Sequence, residues 1–210
     1  MKKIILVGAS GLLVDFCDEL ESQGWTIEGY IDKQKNKNSD LIYLGNDQDN
    51  IKGNKLITMT GLKSYSELLI KNKLFQLYKQ DIENLIFKGA KISKSIEIID
   101  KSNIIIFDLV SIKNSAIIGE NTFINTMTSI GHHTHIKGNT SISIGVLIGG
   151  NVTIGNACFI GMGAKIFPGV SIGENCCISA NAIITQNVPD NSYVSGKNKI
   201  KPMKIEGMGL

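Results

Sequence analysis

The stretch SIKNSAIIGENTFINTMTSIGHHTHI, residues 111–136, carries isoleucine at every sixth position. The spacing continues unbroken through Ile112, Ile118, Ile124, Ile130, Ile136, Ile142, Ile148, Ile154, Ile160, Ile166, Ile172, Ile178 and Ile184. A period of six suits neither an amphipathic helix nor a hairpin, but it is typical of a parallel β-helix built from hexapeptide repeats. Each repeat then forms one flat side and buries one large apolar residue, so three repeats make a coil of eighteen residues.

A second series of small or β-branched residues lies two positions before each isoleucine. Its members are Val110, Ala116, Thr122, Thr128, Thr134, Thr140, Val146, Val152, Cys158, Ala164, Val170, Cys176 and Ala182. One large and one small inward residue per side would fill a narrow prism. Glycine often follows the isoleucine, at Gly119, Gly131, Gly149, Gly155, Gly161 and Gly173, which predicts a sharp turn at each corner.

The eighteen-residue coil also predicts which residues are neighbours, because positions eighteen apart lie on adjacent rungs roughly 4.8 Å apart. Cys158 should stack on Cys176. Two further columns contain Asn114, His132 and Gly150, and Ser115, His133 and Asn151. Earlier isoleucines at Ile92, Ile98 and Ile104 are out of phase by two residues, which predicts a ladder that begins near Ala90 and an irregular side near Asn103 to Val110.

Composition limits the classes of function. The net charge of +3 is small, and its basic clusters at Lys33–Lys37 and in the C-terminal tail indicate a solvated loop and tail, not an extended nucleic-acid surface. The four cysteines lack metal-type spacing, and two occupy inward positions, as expected of reduced core residues in a cytosolic protein. The N-terminal apolar run is too short for a signal peptide, and no apolar segment is long enough for a membrane span. We therefore expect a cytoplasmic chain with no nucleic-acid or membrane partner.

The N-terminal part has a strand, glycine turn, helix, strand pattern. Lys3 to Val7 is followed by the turn Gly8-Ala9-Ser10-Gly11, a helix that stops at Gly24, and a strand from Trp25 to Ile31 that precedes Asp32. This order is the outline of a nucleotide-binding half-fold, in which helix amides face phosphate and the acid binds a sugar hydroxyl. The turn has only two glycines, so a plain tight turn is the alternative.

Two more elements complete this part of the chain. They are a strand from Lys55 to Met59 and a helix from Leu62 to about Lys73. The predicted division is a Rossmann-like nucleotide-sugar-binding domain at 1–84, a β-helix at 85–188, and a C-terminal strand with a basic tail at 189–210. The predicted fold class is thus an α/β Rossmann-like βαβ domain followed by a parallel β-helix.

All three histidines fall within four residues of one another. His135 lies between two inward residues and should point outward along a side, whereas His132 and His133 occupy a corner. A metal site there would lack a carboxylate or cysteine in the same column, so we expect no metal. Taken alone, the pair is either a solvated corner or a catalytic group.

Several motifs together resemble a known family, the sialic acid O-acetyltransferases and nucleotide-activated amino-sugar N-acetyltransferases of the bacillosamine and perosamine type. These motifs are Gly8-Ala-Ser-Gly11, Tyr30-Ile-Asp32, Leu44-Gly45, Ile130-Gly-His132, Gly150-Asn-Val-Thr-Ile-Gly155, Phe167-Pro-Gly-Val170 and Val194-Ser-Gly196. The resemblance covers nearly the whole chain. It implies a left-handed β-helix, a homotrimer with sites between subunits, and acetyl-CoA as co-substrate.

The resemblance also implies roles for individual residues. His132 matches the general base, a task that suits an imidazole that titrates near neutral pH, and His133 stands where the family usually has Asp or Glu. The implied acetyl-CoA contacts are Ser141, Gly150, Met162 and Ala180, and the implied nucleotide-sugar contacts are Gly8, Ser10, Gly11 and Asp32. Gly150, without a side chain, is expected to leave room for the thioester. Ser141 replaces a second family histidine, and Leu12 replaces a histidine or small residue.

The sequence therefore predicts an acetyl-CoA-dependent N-acetyltransferase that acts on a nucleotide-linked amino-deoxy-sugar for surface polysaccharide or glycan synthesis. One alternative of the same fold is an O-acetyltransferase of a sialic-acid-like sugar. An alternative of another class is a non-catalytic β-helix protein that binds sugar nucleotides, whose function would survive removal of His132.

Overall fold

The computed structural model describes residues 2–8, 13–37, 39–46, 49, 51–58, 64–99 and 102–203. The N-terminal elements are β1 (Lys2–Val7), α1 (Leu13–Ser22), β2 (Trp25–Ile31), β3 (Tyr43–Gly45), β4 (Lys55–Ile57) and α2 (Tyr65–Tyr78), followed by a 3-10 turn (Lys79–Asp81). The strands that follow are β5 (Leu85–Ile86), β6 (Lys91–Ile92), β7 (Glu97–Ile98), β8 (Ile105–Ile106), β9 (Ser111–Ile112), β10 (Ile117–Ile118), β11 (Phe123–Ile124), β12 (Ser129–Ile130), β13 (His135–Ile136), β14 (Ser141–Ile142), β15 (Leu147–Ile148), β16 (Thr153–Ile154), β17 (Phe159–Ile160), β18 (Lys165–Ile166), β19 (Ser171–Ile172), β20 (Cys177–Ile178), β21 (Ile183–Ile184), β22 (Ser192–Ser195) and β23 (Lys199–Pro202).

The short strands form the three faces of a prism. Face A is the sheet β6-β9-β12-β15-β18-β21, face B is β7-β10-β13-β16-β19, and face C is β5-β8-β11-β14-β17-β20, extended by β22 and β23. Strands on one face pair in parallel and in register eighteen residues apart, as Ile130 does with Ile112 and Ile148. The predicted parallel β-helix with an eighteen-residue coil is confirmed. Corners AB, BC and CA denote the turns that join consecutive faces.

Both inward series fill the prism as the sequence predicts. Every isoleucine of the sixfold series from Ile112 to Ile184, and every small residue two positions before it, is buried with at most 4% of its surface exposed. The inward hydroxyl and thiol groups find backbone acceptors: Thr134 Oγ1 donates to Gly149 O at 3.0 Å, and Cys158 Sγ to Gly173 O at 3.1 Å. Because buried polar groups are costly when unpaired, these bonds explain how threonine and cysteine fit in an apolar core.

The corners correct the expectation about glycine. The backbone takes a positive φ at the third residue after each inward isoleucine from Ile106 to Ile178, most often at asparagine, which adopts this conformation more readily than most residues. The glycines directly after the isoleucines do not turn the chain in this way. Gly131 is required by close approach instead, because an added Cβ would collide with the backbone of Gly149 and Gly150 on the next coil.

The beginning of the ladder also differs from the prediction. The coil starts at β5, before Ala90, and strands β5, β6 and β7 pair with partners twenty residues ahead. From β8 onward the offset is eighteen, so the two extra residues lie between Ile98 and Ile105, ahead of the predicted irregular side. Ile104 consequently occupies the small inward column, two residues before Ile106.

The N-terminal part contains a four-stranded parallel sheet of order β3-β2-β1-β4. Helix α2 begins later than predicted because Ser64 caps it by accepting a hydrogen bond from Glu67 N at 3.4 Å. It also ends later than predicted, at Tyr78. Neither helix of the described residues is long and apolar enough to cross a membrane.

The N-terminal part packs on face C. Phe16 of α1 contacts Phe87 and Phe107, which stack with ring centroids 4.2 Å apart at corner CA, and Phe123 of face C joins the same cluster. Helix α2 lies along corner BC, where its Tyr65 reaches Asn175, and Lys79 of the following 3-10 turn pairs with Glu120. Corner AB is therefore the corner opposite the covered face.

A buried network of side-chain amides joins α2 to corner BC. Asn103 Nδ2 donates to Asn121 Oδ1 at 2.9 Å, and Asn121 Nδ2 donates to Asn72 Oδ1 and Asn139 Oδ1. Lys71 is fully buried beside it and donates to Asn121 O at 2.7 Å, without a carboxylate partner among the described residues. Burial lowers the pKa of Lys71 to about 7. Protonation of this buried lysine therefore lowers the free energy of unfolding.

Lys71→Met should stabilise the protein at pH 7 by roughly 2 to 4 kcal/mol, because methionine fills the site without desolvating a charge. The unfolded lysine keeps an ordinary, higher pKa, so wild type loses stability as the pH falls from about 10 to 7, and the loss is complete below that range. Denaturant unfolding at pH 7 and pH 10 should show the advantage of the variant shrinking at pH 10. Lys79→Met, at a half-exposed position in the 3-10 turn that follows α2, is the control and should change stability by less than about 1 kcal/mol. A destabilised Lys71→Met at pH 7 would contradict the account.

Candidate active site

His132 and His133 lie together on corner AB, and both side chains are exposed. Their Nδ1 atoms are 3.0 Å apart and their rings meet edge to face. His133 has a φ of 56°, the left-handed corner conformation. His135 points outward from face B, as predicted.

Gly150 lies directly below His132 on the next coil, as the column arithmetic predicts. The expected empty space is taken by the imidazole, however, since a Cβ added to Gly150 would lie 2.6 Å from His132 Nε2. The glycine thus accommodates the histidine ring. Nε2 faces the Gly150 backbone while Nδ1 faces His133, so both ring nitrogens have defined surroundings.

Gly150→Ala should lower kcat by roughly 10 to 100-fold, because the added methyl group displaces the His132 imidazole from its position. Stability should change by less than about 1 kcal/mol, since the exposed ring can move aside. Steady-state kinetics and thermal unfolding measure the two effects. Gly24→Ala, a remote control with φ of +82° and nothing within 4 Å of the added methyl, should show the reverse pattern of lost stability and retained activity. Unchanged kcat in Gly150→Ala would contradict the proposed contact.

The predicted acetyl-CoA residues fall at three separate places. Gly150 lies at corner AB, whereas Met162 and Ala180 lie one above the other on corner CA, exposed to solvent. Ser141 is on face C and is only 1% exposed, so in this chain it offers no surface to a ligand. We leave Ser141 out of the proposed cofactor site for this reason. Corners AB and CA are separated by the width of face A.

Two of the four predicted nucleotide-sugar residues, Gly8 and Asp32, lie at the carboxyl ends of β1 and β2. Gly8 has a φ of +89° and donates its N–H to Ile31 O at 2.8 Å, and Asp32 follows β2 with its Oδ1 accepting from Lys33 N at 2.6 Å. Parallel sheets bind ligands at this edge. Ser10, Gly11 and Leu12 lie outside the described residues.

A cleft of about 480 Å³, which the sequence does not predict, lies between α1 and corner CA. It is lined by Asp18, Glu19, Phe87, Phe107, Asp108, Asn125, Thr126 and Ile144. Asn125 is only 8% exposed; its Oδ1 accepts from Thr126 N at 2.7 Å, and its Nδ2 donates to no other described residue. A buried amide that lines a cleft with a free donor is suited to a ligand oxygen. The repeat pattern does not identify Asn125 as a binding residue, because the cleft that it lines forms only when α1 packs against corner CA.

Comparisons with known proteins agree with this architecture. Residues 151–186 match the model for the bacterial transferase hexapeptide (six repeats). Perosamine N-acetyltransferase from Caulobacter crescentus, a point mutant solved with CoA and GDP-perosamine, is 19% identical with a TM-score of 0.82 over 96% of this chain and 97% of its own. The chain has the fold of the hexapeptide-repeat sugar acetyltransferases. The resemblance predicted from the sequence is confirmed at this level.

Two further structures support the same assignment of fold. The acetyltransferase domain of PglB from Neisseria gonorrhoeae, in complex with acetyl coenzyme A, is 20% identical with a TM-score of 0.78 over 96% of this chain and 99% of its own. WeeI from Acinetobacter baumannii is 18% identical with a TM-score of 0.75 over 96% of this chain and 99% of its own. No curated protein matches by sequence.

Proposed function

We propose that the chain is an acetyl-CoA-dependent N-acetyltransferase that acts on the amino group of a nucleotide-linked amino-deoxy-sugar. The observation that carries the proposal is the His132 imidazole, held between His133 and Gly150 on this fold. Related folds bind CoA with GDP-perosamine, or acetyl coenzyme A. We place the reaction in the cytoplasm, whose reducing conditions suit the unpaired Cys158 and Cys176, and in the synthesis of surface glycans.

In the proposed reaction, His132 accepts one proton and later returns it. The sugar amine attacks the thioester carbonyl, a C–N bond forms, and Nε2 accepts the proton that the amine loses. The C–S bond then breaks, and the protonated imidazole returns the proton to the thiolate, which leaves as free CoA. We propose that backbone N–H groups near Gly150 and near Met162, which a trimer would bring together from two copies, stabilise the oxyanion of the tetrahedral intermediate.

The acceptor is assigned to the N-terminal part. We propose a left-handed β-helix at 85–188 that carries the chemistry, a Rossmann-like domain at 1–84 that binds the nucleotide through Gly8, Ser10, Gly11 and Asp32, and a C-terminal strand and tail at 189–210. The parallel sheet supports the second assignment. The sugar would extend into the cleft beside α1, where Asn125 supplies a free hydrogen-bond donor.

A homotrimer would bring these parts together. His132 is on the corner opposite the face that carries the N-terminal part, and the acetyl-CoA residues lie on two corners of one chain, so a site between copies unites them. Exposed apolar side chains lie on corner CA and face A, at Leu109, Met127, Ile144, Leu147 and Met162, and Phe167 follows at the adjoining end of corner AB. They support this surface as the contact with a neighbouring copy. Clusters of this kind are typical of subunit interfaces.

The proposal is tested by incubating the full chain with acetyl-CoA and a panel of nucleotide amino-sugars, with thiol release and product mass as readouts. N-acetylated product with one of them supports the proposal. Acetylation of hydroxyl groups only would favour the O-acetyltransferase, and binding without turnover would favour a non-catalytic sugar-nucleotide protein.

Complementation tests the shared site. His132→Ala and Asn125→Ala should each be nearly inactive, yet mixed trimers formed by co-refolding should regain activity, up to about a quarter of the wild-type level, because some interfaces then join two intact halves. Mixtures of each variant with itself are the control. A stable monomer at micromolar concentration, or no recovery in mixed trimers, would contradict the shared site.

A further inference from the structure

The bond between the two histidines has only one arrangement that leaves His132 able to act as a base. Two imidazole Nδ1 atoms 3.0 Å apart share one hydrogen, so one ring donates and the other accepts. If the single proton of His132 were on Nε2 and not on Nδ1, Nε2 would have no lone pair to accept the proton of the sugar amine. A proton on His132 Nδ1 leaves the lone pair of Nε2 available as the base.

We propose that His133 is a positioning residue, whose Nδ1 lone pair accepts a hydrogen bond from His132 Nδ1–H and thereby fixes the tautomer and ring orientation of His132. No other described residue forms a hydrogen bond with either ring. His133 is therefore the contact that orients His132, while Gly150 limits the ring from the other side. This inference rests on the proposed function for its effect on turnover.

The two rings meet because of the corner geometry. His133 is the left-handed residue of its corner, and asparagine or serine occupies the same position on the coils above and below, at Ser115 and Asn151. In this corner the Nδ1 atoms of side chains 132 and 133 are 3.0 Å apart, so the orienting group comes from the adjacent residue. A neutral imidazole accepts this bond as a carboxylate would, but it adds no negative charge beside the base.

His133→Gly and His133→Asp separate this role from a structural one. Glycine suits the left-handed backbone and removes the acceptor, whereas aspartate keeps an acceptor at the same position. We expect His133→Gly to lower kcat by roughly 10 to 100-fold with little change in the KM for acetyl-CoA, and His133→Asp to retain activity or increase it. A role confined to the corner backbone predicts that glycine is at least as active as histidine.

The tautomer is measured directly in histidine-labelled full-length protein by long-range ¹H–¹⁵N correlation spectra at pH 8, with signals assigned from His132→Ala and His135→Ala. We expect the His132 proton on Nδ1 in wild type and His133→Asp, and a mixture of tautomers in His133→Gly. An unchanged His132 tautomer together with wild-type kcat in His133→Gly would overturn the inference. If the wild type acetylated no amino-sugar, the proposed function would fail, while the spectra would still decide whether His133 orients His132.

Discussion

His132→Ala is expected to reduce turnover by roughly 10² to 10⁴-fold, the range for loss of a general base. The affinity for acetyl-CoA should hardly change, because the alanine variant removes only the ring that faces Gly150 and His133. Single-turnover kinetics and calorimetric titration with acetyl-CoA measure the two quantities. The loss should appear in kcat, as expected of a group that acts in the transition state.

His135→Ala is the matched control for the histidine experiment, because His135 is exposed on face B and points away from the corner. It should retain activity within about twofold. If His132→Ala is close to wild type while His133→Ala is inactive, the base is His133, and the family motif applies one residue further along the chain.

Ile148→Ala is expected to lower the free energy of unfolding by about 2 to 5 kcal/mol. Ile148 is 4% exposed and lies on face A between Ile130 and Ile166, so its truncation opens a cavity in the middle of an isoleucine stack. The neighbouring rungs cannot close the gap, because their backbones are tied by parallel pairing at fixed spacing. Denaturant unfolding measures the change.

Two further variants serve as comparisons for Ile148→Ala. Ser129→Ala changes an outward residue of the same face and should stay within about 0.5 kcal/mol of wild type. Cys158→Ala should be milder than Ile148→Ala, because the small inward column already contains alanine at Ala116, Ala164 and Ala182. A loss below about 0.5 kcal/mol for Ile148→Ala would mean that the side chain does not point inward.

Much of the β-helix could be predicted from the sequence because its contacts recur at one separation along the chain. A residue eighteen positions away is a neighbour on the next rung, so the period of six alone places Ile148 beside Ile130 and Gly150 below His132. It also predicts which side chains point inward, because they alternate along each short strand. The resemblance to a family added the role of His132, which the period does not contain.

The period did not reveal the conformation of the corners. The left-handed residue is the third after each inward isoleucine from Ile106 to Ile178, where asparagine is frequent, and the glycines that suggested the turn are needed for close contact between coils. A left-handed backbone and a close approach between coils both require small or polar residues near a corner, so residue type alone does not distinguish the two requirements. The backbone dihedral angles distinguish them.

Contacts at long and irregular separations were decided by the tertiary structure alone. Lys71 reaches Asn121 across 50 residues and Tyr65 reaches Asn175 across 110, and neither distance belongs to a repeat. The packing of α1 and α2 on face C selects these partners, closes the cleft over Asn125 and leaves His132 on the opposite corner. Such contacts depend on the fit of one packed surface against another, which no local periodicity in the sequence encodes.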